Sequence, residues 1–141
     1  MGVVYNDIKL NGYDGAGIDL INDDIKVALL ADTYTPDIDS DDNFDDVSGD
    51  EVSGSGYSAG GQSLANKSYS VDTTNDRAVL TADDITWAGA TLTARYAVLY
   101  KDTGTPGTSK LIGYIDFGSN QSVSGSNFVI QWGSVGVLTV S

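Results

Sequence analysis

The sequence predicts an all-β fold: a single-domain antiparallel β-sandwich, with a jelly-roll as one arrangement it allows. Three observations carry this prediction. Short apolar runs of period two recur at intervals of roughly ten to fifteen residues, as strands do. Clusters of Gly, Ser, Thr, Asn and Asp separate them, and the chain holds 17 glycines against 2 prolines. No apolar stripe of helical period appears anywhere. At 141 residues the chain suits one domain, and a chain of this size buries about 70% of its unfolded surface, enough for one real core.

Residues 1–17, "MGVVYNDIKLNGYDGAG", read as an N-terminal arm or a first strand. Residues 18–141 read as the sandwich. In the lead-in, Val3, Val4, Tyr5, Ile8 and Leu10 are apolar, and the glycines that follow disfavour a long helix. These five are candidates for an interface: an arm that adds a strand to a neighbouring subunit, or a first strand of the chain's own sandwich.

The first firm strand is Ile25 to Ala31, apolar apart from Lys26, as a strand buried on both faces would be. Pro36 stops it. Thr33 to Glu51 is an acidic loop in which Ile38, Phe44 and Val47 are the apolar anchors. "KSYSVD" and "RAVLTA" form a hairpin around Thr73-Thr74-Asn75-Asp76. Ala90 to Tyr100 is a strand, polar on one face at its start and apolar on both near its end. Leu111 to Gly118 is another, with Leu111, Gly113, Ile115 and Phe117 on one face. "SNQSVSGSN" reads as a turn-rich link. "FVIQW" puts Phe128, Ile130 and Trp132 on one face, and Val135 to Val140 closes the chain.

Charge and composition exclude several functions. Asp plus Glu is 20 and Lys plus Arg is 7, a net charge of −13. No basic stripe exists to displace counterions from nucleic acid, so no nucleic-acid partner is expected. Anionic lipid is equally disfavoured. No run approaches the ~20 apolar residues that cross a bilayer, so no membrane partner is expected either. The first residues do not follow the pattern of a signal peptide, which predicts use without classical export. Cysteine and histidine are both absent. That removes thiolate chemistry and the usual general base of nucleophilic triads.

Asp102-Thr103-Gly104 is the tripeptide of aspartic proteases, but it stands alone and is also an ordinary turn. Asp37, Asp39 and Asp41 have the one-three-five spacing of a calcium loop. Asp42 and Ser48 stand where that loop needs Gly and Glu, so a solvated acidic loop is the stronger reading and the three remain weak metal candidates. Arg95, in an apolar strand, calls for a carboxylate partner. Trp87 and Trp132 are candidates for stacking on sugars, though the alternation with Phe128 and Ile130 assigns Trp132 to the core. Asn66-Lys67-Ser68 and Asn120-Gln121-Ser122 match the glycosylation tripeptide and are read as chance. No catalytic residue and no cofactor is assigned, and a non-enzymatic role is expected.

Several ordered blocks resemble a family of small virion proteins of tailed bacteriophages. The residues that carry the resemblance are Tyr34-Thr35-Pro36, Gly56-Tyr57, Ala59-Gly60-Gly61, Trp87, Ala94-Arg95-Tyr96-Ala97 and Tyr100-Lys101-Asp102-Thr103-Gly104. It spans about Ile18 to Val140 and is weaker over the first seventeen residues. The resemblance implies a capsid cement, or decoration, protein on the outside of the head, made in the host cytoplasm. Its partners would be the major capsid protein and further copies of itself, as a dimer or trimer. A tail, head-fibre or baseplate module, receptor- or carbohydrate-binding, is the competing implication.

Overall fold

The computed structural model describes residues 3–5, 18–132 and 136–140. Eight strands follow in order: β1 (Val3–Val4), β2 (Ile25–Leu30), β3 (Gln62–Ser63), β4 (Ser68–Asp72), β5 (Arg77–Thr81), β6 (Ile85–Lys101), β7 (Leu111–Ile130) and β8 (Leu138–Val140). The remaining elements among the described residues are three single 3-10 turns. One sheet has the order β1-β7-β6-β2-β3, the other β4-β5-β8, and every pairing is antiparallel. The pairings establish an antiparallel all-β fold of two sheets; they do not establish a jelly-roll.

Two cores lie on opposite faces of the five-stranded sheet. Between the sheets, Ile25, Val27 and Leu29 of β2 pack with Trp87, Leu92, Leu99, Ile112, Phe128 and Ile130, and Leu80 and Val137 reach in from the second sheet's side. On the outer face, Ala28, Leu30, Tyr96, Val98, Tyr100 and Leu111 pack under Tyr34, Phe44 and Val47 of the acidic loop. Strand β2 thus buries both sets of alternate residues, as its unbroken apolar run predicts. Burying a side chain such as Leu29 or Leu99 completely stabilises the fold by about 2–3 kcal/mol.

Strand β6 departs from simple alternation. Trp87, Ala90, Leu92, Ala94, Ala97 and Leu99 all face the inter-sheet core. Two of those steps are three residues, not two. They coincide with register shifts against β7 between Trp87 and Ala90 and between Ala94 and Tyr96. At the first, β6 holds one extra residue; at the second, Arg95 alone stands against residues 117–120 of β7, and such irregularities turn the following side chains over. This is why Tyr96, Val98 and Tyr100 sit on the outer face although Ala90, Leu92 and Ala94, of the same parity, point inward.

The predicted link "SNQSVSGSN" is not a link. It is the middle of β7, which runs 20 residues without reversing. Gly118 (φ +85°) and Gly125 (φ +62°) adopt left-handed backbone that signals a turn in sequence, but here each accommodates a bulge while β6 continues alongside. The face assignment for Leu111 to Phe117 also changes. Leu111 joins the outer core and Ile112 the inner one, because a further register shift falls between Leu99 and Tyr100. The hairpin of β4 and β5 forms as read, with Thr73 to Asp76 as its turn; the Asp72 carboxylate accepts from the Thr74 and Asn75 amides.

Val3 and Val4 pair with Tyr114 and Gly113 of β7, and the buried Tyr5 donates its amide to the Ile112 carbonyl. Val3 and Val4 form the chain's own first strand, and Tyr5 follows it into the outer core. Ile8, Leu10 and Val135 lie outside the described residues. No helix among the described residues is long and apolar enough to cross a membrane.

The free edge of β2 is closed by three short pieces. Strand β3 pairs with Lys26 and Val27, the Val52 amide binds the Leu29 carbonyl, and the Tyr57 hydroxyl accepts the Leu29 N–H at 2.9 Å. Gly61 makes this closure feasible. Its φ is +79°, and a Cβ there would stand 1.8 Å from the Val27 carbonyl oxygen. We therefore expect Gly61→Ala to destabilise the protein by about 3 kcal/mol or more, since strain and backbone clash combine. Urea unfolding at neutral pH checks this; a loss under ~1 kcal/mol would contradict it.

Candidate functional site

The carboxylates are spent on structure. Asp102 follows directly on the end of β6, and both its oxygens are occupied. Lys26 Nζ lies 2.7 Å from one, and the Gly104 amide donates to the other at 2.9 Å. The Lys26 ammonium, then the Gly104 N–H, hold this carboxyl below its ordinary value of 3.8. Asp102-Thr103-Gly104 is therefore a turn locked to β2.

The acidic loop behaves in the same way. Asp37 accepts the amides of Asp39 and Ser40. Asp41 accepts the Tyr34 hydroxyl at 2.7 Å and the Asp37 amide. Asp46 accepts the amides of Asp42 and Asn43. Because a carboxylate only accepts, the Tyr34 proton is committed to Asp41, and Tyr34 in turn accepts from Tyr5 at 2.8 Å. A three-membered chain thus ties β1 to the loop over the outer core. Burial raises the titration of both tyrosines far out of the physiological range. Asp37 and Asp41 thus cap the loop's own backbone. Among the described residues no three acidic side chains are grouped as metal ligands would be.

Arg95 finds its carboxylate in Asp116 at 3.0 Å, and its guanidinium lies 5.5 Å from the centre of the Tyr96 ring. The pair is partly exposed, not buried, so its stabilising effect is of the order of a surface ion pair. Trp87, placed ahead of the strand by sequence, is inside it and 1% exposed, packed by Tyr57 and Phe128. Trp132 is buried as read, and its indole N–H donates to the Asp83 carbonyl. Neither ring offers a face to a sugar. Asn66 and Asn120 donate their side-chain amides to Asp83 and Asp32.

What remains is a surface rather than a pocket. All the Asp, Glu, Lys and Arg residues of the chain precede Phe117, and none falls between Ile85 and Ala94. Those two segments are partners in the β6–β7 ribbon. Its outward side presents Thr86, Ala88, Thr91, Thr93, Ser122 and Val129, all exposed. Thr93 and Ser122 share a hydrogen bond of 2.8 Å. The acidic loop covers this face only over β6's second half. Beside the ribbon, Ile115, Phe117, Val123 and Trp132 line an open groove of about 630 Å³. The chain as a whole is strongly acidic, yet it keeps one strip of small, neutral side chains. No single residue motif marks this strip; the signal was the absence of charge over the segments 85–94 and 117–141.

Comparison with protein-family models, with curated proteins and with solved structures finds no match.

Among the described residues, every carboxyl whose titration is displaced is displaced downward. The causes are hydrogen bonds to Asn22 for Asp19, to the Asp19 amide for Asp23, to Asn75 for Asp72, to Lys26 for Asp102 and to Arg95 for Asp116. A depressed folded-state value means the unfolded chain takes up protons first as pH falls. The stabilising contribution is thus complete above the ordinary value of 3.8 and lost as pH falls through the folded values. We expect thermal stability to be level near neutrality and to fall below about pH 4. Asp102→Asn should cost about 1 kcal/mol at neutral pH and make the acid-side fall shallower. Melting curves from pH 2 to 7 check both, and an unchanged acid slope in the variant would remove Asp102 from this account.

Proposed function

We propose that the chain is a non-enzymatic virion structural protein of a tailed bacteriophage. In this reading it is a capsid cement, or decoration, protein that stabilises the head by bridging major capsid protein subunits. One observation carries the reading: the ribbon of β6 and β7 presents an exposed face without charged side chains, suited to contact with another protein. A cement protein needs buried area repeated over many copies and needs no reactive group. A net charge of −13 suits work beside packaged nucleic acid, because it opposes binding to phosphate.

The residues that carry the resemblance support the same reading. Tyr57 and Gly61 close the edge of β2. Tyr100 donates to the Gly60 carbonyl at 2.6 Å, and Tyr34 pins the acidic loop. The shared blocks are fold determinants, as expected of a family whose work is done by a rigid shape.

The test is made on heads. Particles assembled without this protein should release their DNA at a lower temperature than complete particles, and added purified protein should restore the difference. Equal heat resistance with and without it, or labelled protein found on tails, would overturn the cement reading.

A further inference from the structure

We infer that the cleft between the acidic loop and the last residues of β6 is a recognition site for an arginine side chain of a partner protein. Three parts of the chain line it. Lys26, Tyr100 and Asp102 come from the paired ends of β2 and β6 and the residue that follows. Phe44 and Glu51 come from the acidic loop, and Pro106 from the turn Pro106–Thr108. The space is about 370 Å³, at the lower end of the range for ligand cavities, which suits one long side chain better than a larger molecule. It lies at the opposite end of β6 from the uncharged strip between Ile85 and Ala94, so the two surfaces do not compete.

Charge decides the sign of the guest. Lys26 is matched by Asp102 at 2.7 Å, which leaves Glu51 as the unbalanced charge of the lining. Two further aspartates add to it. Asp24 acts on both Lys26 and Tyr100. Asp45 stands beside the turn Pro106–Thr108, where a Cβ on Gly107 would lie 3.7 Å from one of its oxygens. Burial first, then Asp102, Glu51 and Asp24, raise the titration of the Tyr100 hydroxyl, so these carboxylates act on one small region. An anion is repelled from it and a cation drawn in.

Glu51 is also fixed in place before any guest arrives. One of its oxygens accepts the Tyr57 hydroxyl and the Gly60 amide, both at 2.7 Å, and the Gly60 carbonyl accepts from Tyr100 at 2.6 Å. Among the described residues no donor reaches its other oxygen, and a carboxylate oxygen left over in this way accepts a hydrogen bond with little ordering of the side chain. The kind of cation follows from the surroundings. No three acidic side chains are grouped as metal ligands among the described residues. An ammonium is compact and strongly hydrated, and Lys26 already supplies one. A guanidinium is weakly hydrated, carries its donors in a planar fork, and brings an alkyl stem that packs along Phe44, Ala59 and Pro106.

The test uses the purified chain, with N-acetyl-arginine methylamide as the probe and backbone amide NMR shifts as the readout. The amides of Glu51, Gly60, Asp102 and Gly104 should shift together along one binding curve, while those of Asp37 to Asp41 stay in place. The uncharged isostere N-acetyl-citrulline methylamide should leave them unmoved, and N-acetyl-lysine methylamide should bind more weakly. Glu51→Gln keeps an acceptor for Tyr57 and Gly60 but removes the charge, and should weaken the arginine probe about fivefold. Ser48→Lys, exposed at the cleft, sets a tethered cation beside it and should weaken the probe as much. Melting curves matching the parent show that each variant folds. Shifts of equal size in the acidic loop, equal binding of the citrulline or lysine probe, or a binding curve unchanged in the folded variants would each overturn the inference. The heat resistance of heads, which tests the cement reading, is a separate measurement and stands whichever way these fall.

Discussion

Strand β6 has to serve two cores with one backbone. Its first half is covered on one side only and its second half on both. Strict alternation would send Ala90, Leu92 and Ala94 to the same side as Tyr96, Val98 and Tyr100. The bulge between Ala94 and Tyr96 breaks that link. It leaves small residues and Leu92 against the second sheet, and three large side chains under the acidic loop. Every other element is placed by this division. β2 lies beside the doubly covered half and is buried at every position but Lys26. β4, β5 and β8 close the inner face. The loop from Ala31 to Val52 closes the outer one, and the ribbon beyond it stays bare.

The acidic loop shows how a chain with so much negative charge keeps a compact shape. Self-repulsion favours extension of this segment. Phe44 and Val47 oppose it by burial, with Phe44 stacked on Tyr100 at 4.3 Å between ring centres. The aspartates also cooperate, because each carboxylate that accepts backbone N–H groups replaces hydrogen bonds the irregular segment would otherwise leave to water. The same residues thus supply the surface charge and the local order.

Much of the fold was legible in the chain. The apolar run of β2, the hairpin of β4 and β5, the anchors Phe44 and Val47, and the core positions of Phe128, Ile130 and Trp132 all follow from burial period and turn chemistry. Four features were not legible. Gly118 and Gly125 look like turns because left-handed glycine is shared by turns and bulges, and only the presence of a partner strand distinguishes them. The switch at Tyr96 is likewise a property of the pair β6–β7, not of either strand. Trp87 fell outside the predicted strand because Gly89 masked its continuation. The uncharged face was hardest of all, since it is defined by missing charge spread over segments thirty residues apart in sequence and adjacent only through register.

The kinks at Gly118 and Gly125 carry a consequence for how this chain meets other chains. An open sheet margin is a template on which chains can stack without limit, and the hazard grows with abundance. Here each glycine swings the backbone out of line, so an incoming segment runs out of partners after a few residues. Growth of that sort stalls before it becomes a filament. A margin interrupted in this way gives a second chain no long run of N–H and C=O groups to copy, and the interruption is written into two positions that bear no side chain.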